Sequence, residues 1–127
     1  MTLADCKNMA AAGEAEARRN GWEVVIAILD DGGHLLLLER MDGATPANVE
    51  NAIQKGRTAA QSRRSTKVWE ERVAAGRLGT LSMPVMAVQG GIPVMHQGEC
   101  VGGIGVSGVQ SPQDEQIALA GAAALAS

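Results

Sequence analysis

Two seven-residue segments, EVVIAIL (23–29) and LLLLERM (35–41), are joined by only five residues, DDGGH. Asp-Gly and Gly-Gly tolerate the positive φ that tight hairpin turns need. Leucine favours helix, but seven residues caught between Gly-bearing turns leave no room for one. A parallel pair would need a crossover of a dozen residues or more. The stretch 23–41 therefore has to be an antiparallel ribbon, and everything else must pack around it. VVIAIL is apolar without interruption, which marks a strand covered on both faces.

The remaining segments follow from their caps and breaks. A helix opens at the N-terminus: Thr2 caps it, Asp5 sits in its first turn, and Leu3, Cys6, Ala10, Gly13 and Ala17 recur at helical spacing. Arg18 and Arg19 suit its last turn, and Gly21 stops it. A second helix starts at TPANVENAIQKGRTAAQSR, with Thr45 as N-cap and Pro46 at N1. Val49, Ile53, Gly56 and Ala60 form its apolar stripe, with Lys55 beside it, partly over the apolar face. STKVWEERVAAG predicts a short third helix capped by Ser65 or Thr66 and stopped by Gly76. Pro84 excludes a central strand, so 85–88 reads as a short edge strand. IPVMH and ECVGGIGVSG form a second hairpin about Gln97-Gly98. Residues 111–126 read as a last helix with Ser111 as N-cap, Pro112 at N1, Asp114 at N3, and Ile117, Gly121, Ala124 and Leu125 inward. Helices around two antiparallel hairpins predict one layered α+β domain over 1–127.

Composition narrows the partners. The chain of 127 residues has two Trp, no Phe and no Tyr, so its core is aliphatic, and it lacks the aromatic platforms on which single-stranded bases stack. A net charge of −3, with no basic cluster longer than Arg-Arg, argues against nucleic acid and anionic membranes as partners. Cys6 and Cys100 lack metal-ligand spacing and read as two reduced thiols of a cytoplasmic protein. No metal site is expected.

VGGIGVSGVQ carries Gly103, Gly105 and Gly108 in the order G-x-G-x-x-G. A dinucleotide site needs a helix after that turn and then a second parallel strand bearing an acid. Only nineteen residues follow Gly108, and they form one helix. NAD and FAD are therefore excluded as expected cofactors. Glycines inside a strand mark close approach of another backbone or a ligand instead.

DDGGHLL, ERMDGA, AIQKGRTAA, GGIPV and GECVGGIGVSG, followed by QDEQIALAGAAAL, together resemble the GlcG/HbpS-like family over almost the whole chain. This is the haem-degrading domain family, which includes the C-terminal domain of PduO-type corrinoid adenosyltransferases. The resemblance implies a profilin-like sandwich around an antiparallel sheet of about five strands, self-associating as dimers to octamers. It also implies a haem-binding or haem-degrading protein, a redox-linked sensor, or an accessory protein of glycolate, diol or aromatic catabolism. Matching positions put the recurrent polar residues at Asp30, Arg40, Asp42, Lys55, Thr58 and Asp114, with the turn of Gly90, Gly91, Ile92 and Pro93.

Three functional expectations follow. In the first, the protein binds haem, with His34 and His96, its only imidazoles, as candidate iron ligands. In the second, it acts on a small carboxylic acid as an isomerase, tautomerase or lyase: Arg40 and Lys55 bind the carboxylate, Asp42 and Lys55 move protons, and the Gly90-Gly91 amides hold an oxyanion. Thr58, Pro93 and Asp114 complete that ligand-binding set, unless Lys55 merely clips to Asp42. Arg57, with Arg63, Arg64 and Lys67, suits a small anionic metabolite. In the third, the chain is an oligomeric structural or regulatory module without chemistry.

Overall fold

The computed structural model describes residues 1–125. Its elements are α1 (Leu3–Arg19), β1 (Val25–Asp30), β2 (Leu35–Arg40), α2 (Ala47–Ser62), α3 (Thr66–Ala74), a 3-10 turn (Leu78–Ser82), β3 (Gly91–His96), β4 (Glu99–Ser107) and α4 (Ser111–Ala122). The strands form one antiparallel sheet in the order β2-β1-β4-β3. On one face Val24, Ile26, Ile28, Ile104 and Val106 pack against Cys6, Met9 and Ala10 of α1 and Ile117 and Ala118 of α4. On the other, Val25, Ala27 and Leu29 meet Ala52, Val49 and Ile53 of α2. The continuous apolar run of β1 is thus buried on both sides, as its sequence requires.

The sheet has four strands, not about five. Segment 85–88 is not a strand: backbone amides in and beside it donate to side-chain oxygens instead of to a ladder. Thr58 Oγ1 accepts from the Met86 amide at 2.8 Å, and Glu70 Oε1 accepts from the Gln89 amide at 3.2 Å. Several caps also shift. Pro46 precedes α2 as its N-cap, and the Thr45 hydroxyl accepts from Asn48 Nδ2 rather than from a backbone amide. Gln110, not Ser111, caps α4. Helix α4 ends at Ala122 and leaves Ala124 exposed, while position 126 lies outside the described residues.

Both hairpin turns form as their residues dictate. Gln97 and Gly98 take φ of 51° and 80°, the doubly positive pattern of a two-residue turn matching strand twist. In the first turn, Asp30 Oδ1 accepts from the Gly32 and His34 amides, each at 2.9 Å. The His34 amide, with that of Gly32 and the nearby imidazole, holds the Asp30 carboxyl below its usual range. Because the folded pKa is depressed, this contribution is present above the unfolded value of about 4 and is lost as the pH falls through the folded one. Asp30→Ala should lower the urea midpoint at pH 7, and the gap to wild type should narrow by pH 2. A gap that does not change with pH would refute this origin.

The strand glycines set how closely α2 approaches. A Cβ on Gly105 would run into the Ala52 carbonyl oxygen and the Gly56 amide, and one on Gly103 into the Gly56 carbonyl oxygen. Helix and strand meet backbone to backbone, so Gly103 and Gly105 of the G-x-G-x-x-G run make room for a helix, while Gly108 lies against Glu23 and Val24. Cys6 lies on the α1 face, whereas Cys100 Sγ contacts Ala60 O of α2 on the other. The sheet stands between the two thiols, and both are free.

Candidate functional site

Lys55 occupies the middle of α2, facing the end of β4, where Asp114 comes in from the first turns of α4. Lys55 Nζ donates to Asp114 Oδ2 at 3.1 Å and to Val106 O at 3.0 Å. Asp114 Oδ1 accepts from the Val109 amide at 3.1 Å. Lys55 is 3% exposed and Asp114 2%. Burial pushes the Asp114 carboxyl up, against the opposing pull of the Lys55 ammonium and the Val109 amide. Beside the pair is a cavity of about 210 Å³ that Asn51, Met86, Ser107 and Ser111 also line. An ammonium has three donors and two are used here, so one remains for a small acceptor or a water.

The other expected members of the acid-binding set are not gathered around it. Asp42 is exposed, and the partner of Lys55 is Asp114, which corrects the expected Asp42–Lys55 clip. Arg40, at the end of edge strand β2, donates through Nε to Ala44 O at 3.2 Å. Neither Arg40 nor Asp42 lines the cavity beside Lys55 and Asp114. The Gly91 amide is spent on Thr66 Oγ1 at 2.9 Å, so the Gly90-Gly91 pair does not form the expected oxyanion cradle. Thr58 holds the Met86 amide and lines a neighbouring cleft. Pro93 pairs with Gly103 on edge strand β3, a position where a missing N–H costs no ladder bond.

The histidines lie at the opposite end of the sheet from the Lys55–Asp114 pair. His34 is exposed in the first turn, with Nδ1 3.3 Å from Asp30 Oδ1. His96, the last residue of β3, lines a cavity of about 190 Å³ with Met1, Asp5, Val101 and Leu125. Its Nδ1 is buried and has no hydrogen-bond partner among the described residues. That orphaned nitrogen separates two imidazoles that look equivalent in the sequence. Among the described residues no group of three or more His, Cys, Asp or Glu side chains could hold a bare metal ion. No helix there is long and apolar enough to cross a membrane.

A third feature was only half visible in the sequence. Two adjoining clefts of about 360 and 370 Å³ share Gln61, Met83, Pro84 and Val85. Arg64 and Arg72 line one and Arg57 the other. Arg63 instead donates to Asp31 O and Ala60 O, and Lys67 lines neither cleft. Arg72 and the 83–86 wall, which complete these clefts, carried no signal of their own in the sequence.

A family model described as "Haem degrading protein HbpS-like" matches residues 1–123. Protein GlcG of Escherichia coli (strain K12) is 48% identical over 98 residues, covering 76% of this chain and 73% of GlcG. Among solved structures, a double mutant of Streptomyces reticuli HbpS superposes with a TM-score of 0.91 at 34% identity, covering 100% of this chain and 88% of that one. The PduOC:Heme complex superposes with a TM-score of 0.88 at 27% identity, covering 98% and 94%. A match over nearly the whole sequence, on the α+β sheet and helices described above, establishes that the chain belongs to the HbpS-like family.

Proposed function

We propose that this chain binds haem, with His96 as the iron ligand, and serves as an accessory component of a catabolic pathway. The observation that carries the reading is His96 itself: its buried Nδ1 has no partner among the described residues, and its side chain lines a cavity with Met1, Asp5, Val101 and Leu125. An imidazole nitrogen that no protein group engages is available to iron, and apolar side chains suit the ring of a porphyrin. Membership of a family described by haem degradation, and similarity to a protein solved as a haem complex, support the same reading.

Haem supplies a redox-active iron, and the protein supplies the imidazole and the apolar walls. A cavity of about 190 Å³ takes one edge of so large a ring, so the reading requires a second covering surface. Self-association supplies it. A binding role is favoured over turnover of a small acid because Arg40 and Asp42 stand apart from Lys55, whose ammonium is committed to Asp114.

Haemin titration followed at the Soret band tests the proposal. His96→Ala should weaken binding by about tenfold or more, and His34→Ala should leave it unchanged. Equal affinity in wild type and His96→Ala would reject the assignment.

A further inference from the structure

We infer that the paired clefts between α2, α3 and the 83–86 segment bind an organic dicarboxylate with an apolar spacer. Together they are the largest concavity described in the molecule, and each falls within the usual range of about 300–1,000 Å³ for small-molecule sites. Charge is placed at both ends. Arg64 and Arg72 border one cleft, Arg57 borders the other, and no Asp or Glu lines either. In a chain of net charge −3, three guanidiniums around a hollow without an acid are not a random surface sample.

Between the ends the shared wall is Met83, Pro84 and Val85 with the amide of Gln61, which favours an alkyl or ring spacer. Met83 is 46% exposed, so the spacer has apolar surface to cover. The guanidiniums are preorganised to different degrees. Arg57 Nε is anchored on Gly33 O at 2.9 Å, which leaves its two terminal nitrogens for a ligand. Arg72 lies over the Trp69 ring at 4.7 Å, a cation–π contact that holds its plane in place. Arg64 is an exposed residue in the turn between the helices. A guanidinium takes a carboxylate through two parallel N–H bonds, so one carboxylate is received at each end. The site is separate from His96, which lines a different cavity with Met1, Asp5, Val101 and Leu125.

Calorimetric titration of the purified chain with succinate, adipate and suberate, each beside its monocarboxylate of equal length, tests the inference. One of the diacids should bind about tenfold or more tightly than its monoacid, the increment of a second charge-assisted contact. Arg64→Ala should weaken that diacid, with Arg72 alone left at its end of the site, and Arg57→Lys should weaken it while retaining the charge. Haemin affinity should be unchanged in Arg64→Ala, so failure here and failure of the haem assignment are read separately. No heat for any diacid up to about 10 mM, equal binding of diacid and monoacid, or full affinity in Arg64→Ala would each overturn the proposal.

Discussion

Asp114→Ala is expected to destabilise the fold by about 3–5 kcal/mol, because it leaves the buried Lys55 ammonium without its counter-charge. Lys55 would keep only Val106 O as a partner, at 3% exposure. Such a loss is a large share of a typical stability of about 5–15 kcal/mol. Chemical denaturation at pH 7 measures it. Replacing both partners together, Lys55→Met with Asp114→Leu, should recover most of the loss, since well-packed apolar groups often match a buried ion pair. If Asp114→Ala costs under about 1 kcal/mol, the pair is solvated and the burial described here is wrong.

Lys55→Met alone should show the opposite dependence on pH from Asp30→Ala. Burial already raises the Asp114 carboxyl, and removing the ammonium removes the main force opposing that rise. The folded state then keeps a proton that the unfolded chain gives up. This variant is most stable in acid and loses stability as the pH rises through the unfolded value of about 4 toward the folded one.

Gly105→Val should cost about 3 kcal/mol or more, with a fall in Tm of roughly 10 °C or greater. The added carbons meet the Ala52 carbonyl and the Gly56 backbone, which cannot rotate away as a side chain tip can. Gly79→Ala is the control: nothing lies within 4 Å of its added carbon, and its effect should stay within about 0.5 kcal/mol. Comparable losses at the two positions, read by thermal unfolding, would show that β4 tolerates a side chain and that α2 packs less closely.

The contrast explains what could be read in the sequence. Turn chemistry is local, so DDGGH and Gln97-Gly98 announce their hairpins, and the doubly buried β1 announces itself by an unbroken apolar run. Segment 85–88 misleads because a short apolar stretch does not reveal whether its amides find a ladder or the hydroxyl of Thr58. The ion pair was half legible. Lys55 sits one residue from Gly56 and two from Ile53 on the buried side of α2, a signal that its charge needs a partner. Asp42 was the nearer candidate along the chain, but the fold brings Asp114 from 59 residues away. The basic clefts were least legible, because Arg57, Arg64 and Arg72 converge only through the wall at 83–86. His34 and His96 both lie beside turns, and only the packing of Met1, Val101 and Leu125 distinguishes them.

The haem assignment is tested most directly by a crystal structure of the haem-loaded chain. The iron should lie on the His96 imidazole, with Val101 and Leu125 against the ring and a second copy covering its far edge. Iron held by any other side chain, or a porphyrin seated over Arg57, Arg64 and Arg72, would contradict it.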